Sequence, residues 1–298
     1  MNRFLRIITI LLTVTALLLP ECRKTPEPPS PHNTVNFDLC ISSGSSSSFE
    51  IVTLNLEGFP KAGSPTIMAV RDFIKRIDPD VIALQEMTTE TDFNNLLKDL
   101  NGWDGRFYPV YNYDWNLAYL FKTSEVEIDD TRTRVILTGD PNAFPRAPFE
   151  IFIRHKTLNI SAYLINIHLK CCSGPDNEAR RRDASEKIDS YIKTYRPSDP
   201  VIILGDYNDI ISGESSATNV FYNLVSATSD YMFTDMGIAR GSLLCWSYPS
   251  WPSHIDHILV TNELFSRVDT TMVLKPDPCY SAYFDNISDH RPVELVLK

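Results

Sequence analysis

The stretch Val201-Ile202-Ile203-Leu204-Gly205-Asp206-Tyr207-Asn208 joins a short apolar run to a polar end. Four consecutive aliphatic residues, three of them β-branched, predict a strand that is buried on both faces. Such a strand lies in the middle of a sheet that other layers cover. The carboxylate and amide side chains that follow would then lie at the rim of that sheet.

Five other segments also lead from an apolar strand into Asn, Asp, Glu or His. They are Thr53-Leu54-Asn55, Ala83-Leu84-Gln85-Glu86, Ile165-Asn166-Ile167-His168, His254-Ile255-Asp256-His257-Ile258 and Ser288-Asp289-His290-Arg291-Pro292. Amphipathic spacing predicts helices over 65–77, 92–100 and 178–195. Because strands and helices mix without strict alternation, the predicted fold class is an α/β layered sandwich. Its strand ends would collect the polar groups in one pocket.

The polar residues at these strand ends have a consistent chemistry. Carboxylates with an amide form a hard oxygen site that suits Mg²⁺, with Mn²⁺ or Ca²⁺ as alternatives. Histidines beside carboxylates can be oriented for proton transfer. Each segment alone also fits a structural role, such as a turn at 206–208 or a core histidine at His168. The six segments together favour a catalytic pocket.

The N-terminal residues have the pattern of an export signal. Arg3 and Arg6 precede an apolar run over 7–19, which is shorter than the roughly 20 residues that span a membrane. The run ends at Cys22, as in a bacterial lipoprotein signal, although Glu21 is larger than the residue usual there. Plain secretion and an uncleaved apolar tail are the alternatives. We predict a signal over 1–22, a Pro/Ser-rich linker over 23–48 and one folded domain over 49–298.

Composition and charge limit the classes of partner. The chain has 298 residues, 43% of them hydrophobic, and a formal net charge of −10. These values are typical of a globular protein and exclude disorder along the whole chain. The acid excess argues against a broad basic surface that holds nucleic acid by charge alone. It permits a nucleic-acid substrate, because a bound metal ion can supply local positive charge.

Six cysteines are consistent with an oxidising compartment. If Cys22 carries lipid, at most two disulfides can form. One expected disulfide joins either Cys171 or Cys172 to Cys245 or Cys279, which would stiffen the catalytic rim.

In their chain order, the six segments resemble the endonuclease/exonuclease/phosphatase superfamily, whose fold is that of deoxyribonuclease I. The most specific pieces are Gly205-Asp206-Tyr207-Asn208 and Ser288-Asp289-His290-Arg291-Pro292-Val293. The resemblance covers 49–298 and, with the export signal, indicates a secreted or lipoprotein bacterial member. It implies a four-layer α/β sandwich in which two mixed β-sheets pack face to face with flanking helices.

The resemblance also implies a metal site and a water-activating group. Glu86 would be the principal metal ligand, with Asn55 and Asp289 completing or supporting the site. Asp206 would orient the attacking water, and Asn208 would hydrogen-bond the phosphoryl oxygens.

The same resemblance assigns the two histidines. His290, held by Asp256, would act as base, and His168 would contact the scissile phosphate and assist the leaving oxygen. Arg146 matches a phosphate-contacting position, and its alternative is an exposed loop arginine. Deoxyribonuclease I orients the histidine that matches His168 with a glutamate. The stretch from Tyr113 to Tyr119 lacks that glutamate, and Asn116 is the candidate substitute.

We therefore expect a monomeric, metal-dependent phosphodiester hydrolase that acts outside the cytoplasm, with DNA or RNA as substrate. Sphingomyelin or phosphoinositide hydrolysis is the second hypothesis, and a non-catalytic surface lipoprotein is the third. Family members that hydrolyse inositol polyphosphates carry arginines where this chain has Asp209, Ile210 and His257, which weakens the phosphoinositide hypothesis. Trp246, Tyr248 and Trp251 could contact a base or a lipid surface, or fill the core.

Overall fold

The computed structural model describes Phe37, residues 44–109 and residues 115–298. The predicted signal over 1–22, with Cys22, and most of the predicted linker over 23–48 lie outside the described residues. Phe37 falls within that linker, yet it is buried and packs against Phe73 and Tyr280 at centroid distances of 5.3 and 5.4 Å. Part of the segment before Phe49 therefore belongs to the folded core.

Thirteen strands and six α-helices occur in the described part of the chain. The strands are β1 Phe49–Phe59, β2 Val81–Met87, β3 Trp103–Tyr108, β4 Asn116–Lys122, β5 Val126–Ile128, β6 Arg134–Val135, β7 Phe149–His155, β8 Ser161–His168, β9 Val201–Asp206, β10 Tyr231–Phe233, β11 Asp256–Thr261, β12 Val268–Val273 and β13 Val293–Leu297. The helices are α1 Ser64–Ile77, α2 Glu90–Leu97, α3 Pro175–Tyr195, α4 Tyr222–Ser226, α5 Met236–Ala239 and α6 Tyr283–Asn286.

The strands form two mixed sheets, as the sequence predicts. The first sheet has the order β12-β13-β1-β2-β4-β3, and the second has the order β10-β11-β9-β8-β7-β5, with β6 paired to β7. Within each sheet the central pair is parallel, β1 with β2 and β8 with β9. The other pairs are antiparallel. The parallel pairs place the ends of four central strands at one rim.

Alternate side chains of the central strands enter different cores, which explains why these strands are apolar throughout. In β9, Ile202 and Leu204 pack between the two sheets, whereas Val201 and Ile203 pack in the outer core that α3 covers. A third core lies between the first sheet and α1. Helix, sheet, sheet and helix thus form the predicted four layers.

The cysteine pairing differs from the expectation. Cys245 and Cys279 are disulfide-bonded and buried, whereas Cys171 and Cys172 are free. The predicted disulfide from Cys171 or Cys172 to either of the other two is therefore wrong. The prediction fails because of where the thiols lie: Cys172 is exposed on the loop after β8, and its Sγ lies 2.7 Å from the Sγ of Cys171.

No helix among the described residues has the length and apolarity needed to cross a membrane.

Buried amides connect the two sheets just below the rim. The Nε2 of Gln85 in β2 donates to the Oδ1 of Asn166 in β8 at 2.7 Å. The Nδ2 of Asn166 in turn donates to the carbonyls of Leu84 and Ala118 in the first sheet. Thr53 exchanges hydrogen bonds with Gln85. Since polar pairs in an apolar interior are directional, this network sets the spacing and register of the sheets.

We expect Asn166→Leu to lower the free energy of unfolding by about 2–4 kcal/mol, because it removes three buried hydrogen bonds and leaves polar groups facing an alkyl chain. Urea unfolding of the purified protein measures this change as a lower midpoint. Asn262→Leu is the matched control, since Asn262 is exposed and donates only one surface bond, to Ser229. A control as destabilised as Asn166→Leu would contradict the role of the buried amides.

Candidate active site

The rim where the central strands end brings five of the predicted residues together. Asn55 and Glu86 come from β1 and β2 of the first sheet, and His168, Asp206 and Asp256 come from β8, β9 and β11 of the second. Within the second sheet, His168 is the register partner of Asp206, and Asp206 is that of Asp256. Adjacent strands therefore place these three side chains side by side.

The side-chain amide of Asn55 joins the two halves of the site. Its Nδ2 donates to the Oε1 of Glu86 at 3.1 Å and to the Oδ2 of Asp206 at 3.0 Å. Its Oδ1 accepts the backbone N–H of Glu57, and the side chain is 1% exposed. One donor group thus holds carboxylates from both sheets, and its orientation is fixed from both ends.

Glu86 reaches the rim through an irregular piece of backbone. The pairing of β2 with β4 shifts between Leu84 and Met87, and Glu86 lies there with φ of 59°. A non-glycine residue in the left-handed region is strained, and such strain is common where a bulge directs a side chain. Burial raises the pKa of Glu86, against the Asn55 hydrogen bond and the charges of His290 and Arg146.

The conformation at the end of β9 explains why a glycine, Gly205, precedes the aspartate Asp206 there. Gly205 has φ of 147°, and a Cβ there would lie 1.9 Å from the carbonyl oxygen of Ile167, so only glycine fits. Asp206 follows with 2% exposure, and its Oδ1 accepts the N–H of Asn208 at 2.8 Å. Burial and the charge of Asp256 raise the pKa of Asp206 to about 7, although His290 opposes them.

His290 and Asp256 form a buried pair. The Nδ1 of His290 lies 2.8 Å from the Oδ2 of Asp256, and its Nε2 faces Asp206 at 3.9 Å and Asp289 at 3.8 Å. Burial lowers the pKa of His290, but these three carboxylates together raise it to about 10. The imidazole is therefore positively charged at neutral pH.

Hydrogen bonds from β1 hold the loop that carries Asp289 and His290. The hydroxyl of Ser288 donates to the Asn55 carbonyl at 2.6 Å and accepts the N–H of His290. The Oε2 of Glu57 accepts the N–H of Asp289 at 2.8 Å. Glu57 is a site residue that was not predicted from the sequence, where its position two residues after Asn55 is the available signal.

Tyr248 is a second residue whose part in the site the sequence did not identify. Its ring centroid lies 4.8 Å from that of His290, and its phenol group lowers the pKa of Asp289. It was noted only as one of three aromatic residues before Asp256. Its contacts place it beside the predicted base and metal ligand.

His168 is neutral in this arrangement. Burial, with the positive charges of Arg146 and His290, lowers its pKa well below the usual value. Its Nε2 lies 3.5 Å from Asp206 and 3.7 Å from Glu86, and its buried Nδ1 has no hydrogen-bond partner in the described part of the chain. The orphaned Nδ1 agrees with the absence of the glutamate that orients the matching histidine in deoxyribonuclease I.

Trp115 and Arg146 lie beside His168, and Asn116 follows Trp115 in the chain. The Trp115 ring is stacked on His168 at 6.3 Å, and the Arg146 guanidinium lies 5.7 Å from the same ring. Arg146 is buried rather than an exposed loop arginine, and it donates to the Leu169 carbonyl, as does the amide of Asn208. Asn116 donates to the carbonyls of Met87 and Thr88, so its amide group secures the loop after β2. Contact of either residue with substrate stays a prediction.

The site fits a divalent cation. Buried oxygens of Asp256 and Asp289, both Oδ1, have no hydrogen-bond partner among the described residues. Carboxylate oxygens of Asp206 and Asp256 lie within 4.8 Å of each other. Burial raises the pKa of Asp289, as it does those of Glu86 and Asp206, which is the expected result when several acids share a buried pocket. Oxygen donors of this kind suit Mg²⁺, Mn²⁺ or Ca²⁺.

A second buried cluster lies behind the loop that follows Asp206. Asp235 accepts hydrogen bonds from His254 at 2.9 Å and from His257 at 2.5 Å. Burial lowers the pKa of His257, but Asp235 raises it more, and the Nε2 of His257 donates to the Asp209 carbonyl at 3.0 Å. Where family members that hydrolyse inositol polyphosphates have an arginine, this chain has a histidine whose hydrogen bond to the Asp209 carbonyl supports the loop.

Comparison with known proteins agrees with this geometry. Residues 52–290 match the endonuclease/exonuclease/phosphatase family. No curated protein sequence matches the chain. TDP2 of D. rerio, solved with a single-strand DNA product, is 14% identical, with a TM-score of 0.64 over 85% of this chain and 100% of that one.

Two bacterial structures are similar to the same extent. A 3′ phosphatase from Neisseria, bound to a product DNA hairpin, has 15% identity and a TM-score of 0.62 over 84% of this chain and 99% of that one. An endonuclease/exonuclease/phosphatase from Bacteroides vulgatus has 15% identity and a TM-score of 0.61 over 84% and 98%. At these identities the structures establish the fold alone. The match over 52–290, together with the two sheets and the residues at their rim, shows that the chain belongs to the endonuclease/exonuclease/phosphatase family.

Proposed function

We propose that this member of a phosphoester-hydrolase family is a Mg²⁺-dependent phosphodiesterase that cuts DNA or RNA outside the cytoplasm. The observation that carries the proposal is the convergence of Glu86, Asp206 and the Asp256–His290 pair around the Asn55 amide. Mn²⁺ and Ca²⁺ are the alternative ions. We further propose that the protein is monomeric and reaches its location through the signal over 1–22, with a lipid anchor at Cys22.

Glu86 and Asp289 would hold the cation, and Asn55 supports them through the hydrogen bond to Glu86. When bound, the cation would supply positive charge beside a phosphate oxygen. The chain itself supplies a second positive charge at His290, whose Nε2 faces the same group of carboxylates. Two positive centres would offset the acidity of the pocket where the phosphodiester binds.

Asp206 is the group best suited to accept the proton of the attacking water. Its pKa, raised by burial to about 7, is close to the working pH, which is the optimum for a general base. His290 is less suited to the role of base that the family resemblance implied, because Asp256, Asp206 and Asp289 oppose loss of its proton. We propose that His290 binds a phosphoryl oxygen and stabilises negative charge in the transition state.

His168 and Asn208 would act at the same phosphate. A neutral His168 can donate an N–H to the phosphate or to the leaving oxygen, but it cannot carry a full proton there at neutral pH. The amide of Asn208 and the guanidinium of Arg146 share the Leu169 carbonyl, so both lie next to His168. A bound phosphate could replace that carbonyl as their acceptor.

Nucleic acid is the substrate class that the structural relatives favour. The D. rerio and Neisseria structures contain DNA products, and this chain has the same fold. Trp115 is 41% exposed beside His168, so its indole offers a surface on which a base can stack. A single aromatic platform of this kind suits a flexible strand better than a rigid duplex.

A lipid phosphodiester is the second candidate. Leu243, Leu244 and Trp251 are exposed large apolar residues, at 53%, 76% and 79%. They lie in the segment that also contains Tyr248, which contacts His290. Apolar side chains beside a phosphoesterase site could insert into a lipid surface.

The first test is hydrolysis of bis-p-nitrophenyl phosphate, single-stranded DNA, RNA and sphingomyelin vesicles, each with Mg²⁺ and with a chelator. We expect Mg²⁺-dependent cleavage of the nucleic acids. Glu86→Gln should lower kcat/KM by about 100-fold, because it removes a charged metal ligand while it keeps the side-chain shape. Glu186→Gln is the control, since Glu186 is exposed on α3.

Release of phosphocholine with intact nucleic acids would support the lipid candidate instead. Folded, metal-loaded protein that cleaves no phosphoester would contradict the enzymatic proposal altogether. Equal activity of Glu86→Gln and the wild type would contradict the assignment of the metal ligand.

The His290–Asp256 pair predicts a pH-dependent stability. Because the pKa of His290 is about 10 in the folded protein and near 6.5 when unfolded, its stabilising effect is complete below pH 6.5 and is lost as the pH rises through 10. We expect Asp256→Asn to lower the free energy of unfolding by about 3–5 kcal/mol at pH 6.5 and by less at higher pH. Urea unfolding of the metal-free protein at about pH 6.5, 8.5 and 10.5 measures the difference.

Asp72→Asn is the control for this series, because Asp72 is exposed on α1. Its free energy of unfolding should differ little from that of the wild type, and this difference should stay constant with pH. A difference for Asp256→Asn that is also constant with pH would show that Asp256 does not hold His290 in its charged form.

A further inference from the structure

Cys171 and Cys172 form an adjacent pair of thiols that the proposed reaction does not use. They lie on the loop between His168, the last residue of β8, and α3. Both are free, and Cys172 is exposed, whereas Cys171 is half-buried. Their Sγ atoms are 2.7 Å apart, so the loop already holds the two sulfurs close together. Cys172 lies in the left-handed region, with φ of 78°, which is an uncommon conformation for a non-glycine residue.

The two thiols differ in reactivity. The Nζ of Lys170 is 3.5 Å from the Sγ of Cys171. Burial raises the pKa of the Cys171 thiol, but the hydrogen bond from Cys172 and the Lys170 charge lower it further than burial raises it. The hydrogen bond to Cys171 raises the pKa of the Cys172 thiol. Since the thiolate is the nucleophile, Cys171 is the attacking residue and Cys172 the resolving one.

The backbone of the pair is connected to the active site. Arg181 is buried, and its Nη1 donates to the carbonyls of Lys170 and Cys172 at 2.7 and 2.9 Å. Its Nε and Nη2 donate to the Oδ2 of Asp209, the residue that follows Asn208. A change at the cysteines therefore acts on the arginine that supports the loop after Asp206.

We propose that Cys171 and Cys172 are a reversible modification site, at which a small-molecule disulfide converts the two thiols into an intramolecular disulfide that slows phosphodiester hydrolysis. The disulfide between Cys171 and Cys172 would reorient the Cys172 carbonyl and weaken its hydrogen bond to Arg181. Asp209 and Asn208 would then be displaced. The modification depends only on the geometry of the loop. The effect on rate also rests on the proposed function.

The reaction balances in two exchange steps. The Cys171 thiolate attacks one sulfur of the small disulfide, so that a mixed disulfide forms and one small thiolate leaves. The Cys172 sulfur then attacks the Sγ of Cys171, which forms the internal bond and releases the second small thiolate. The two protons from the cysteines end on the released thiolates. The protein loses two electrons and the small disulfide gains them.

The chemical test is peptide mapping of the folded full-length protein after treatment with oxidised glutathione. Cleavage after Lys170 and Arg180 gives one peptide over 171–180 that contains both cysteines. We expect this peptide to lose two hydrogen atoms and to carry no glutathione. Cys172→Ser should instead retain glutathione on Cys171. A peptide that stays unmodified, or that carries glutathione on both cysteines in the wild type, would overturn the proposal.

The rate test compares oxidised and re-reduced protein on bis-p-nitrophenyl phosphate. We expect kcat to fall by about ten-fold on oxidation and to recover with mild reductant, because a small displacement of a positioning group costs rate. The Cys171→Ser/Cys172→Ser variant is the control, since it keeps the bonded Cys245 and Cys279. An equal response of this variant would overturn the effect on rate. Absence of activity in every form would count against the proposed function, whereas the peptide map would still decide the modification.

Discussion

The amide of Asn55 is the interaction on which the arrangement of the site depends. Through it, the first sheet donates a hydrogen bond directly to Asp206 of the second sheet, while it also holds Glu86. The Gln85–Asn166 bond fixes the sheets relative to each other just below this point. The Asn55 carbonyl also accepts the hydroxyl of Ser288, which places the loop with His290. Errors in sheet register would therefore displace the proposed metal ligands, the proposed base and His290 together.

Electrostatics explains why the buried carboxylates of the site need these hydrogen bonds. Burial raises the pKa of Glu86 and of Asp206, so both carboxylates are destabilised as anions by their own surroundings. His290 offsets part of this repulsion, and a cation would offset more. The folded protein thus contains an acidic pocket whose carboxylates would be stabilised by a bound positive charge. The net charge of −10 is in this respect partly a property of the site and not only of the surface.

The sequence predicted those parts of the fold that depend on local pattern. The run 201–204 is apolar because its residues enter two different cores, and the predicted strand is β9. Short or peripheral strands such as β3, β5 and β12 were not predicted, since they have little continuous apolar pattern. Local pattern is also a poor guide to Arg181, because it lies among three consecutive arginines on α3 and yet is buried against Asp209.

Residues that enter the site from distant parts of the chain were the hardest to predict. Glu57, Trp115 and Tyr248 have no motif of their own, and their roles follow from contacts with residues far away in sequence. The prediction of the cysteine pairing failed for the same reason, because the distance between two thiols depends on the tertiary structure. By contrast, Gly205 belongs to a segment that the sequence alone identified. The structure explains its residue type, since its backbone conformation and its contact with Ile167 permit no side chain.

His168 shows how one lost residue changes the chemistry that the fold can perform. The Nδ1 of His168 has no carboxylate partner in the described part of the chain, and the carboxylates of Asp206 and Glu86 near its Nε2 do not offset burial and the charges of Arg146 and His290, which lower its pKa. Stacking on Trp115 orients the ring instead, and stacking fixes a plane without selecting a protonation state. In the proposed mechanism, proton donation to the leaving oxygen would then come from water or from another group. Charge stabilisation would depend on His290 and the cation, which would make the Asp256–His290 pair the more important of the two histidine arrangements.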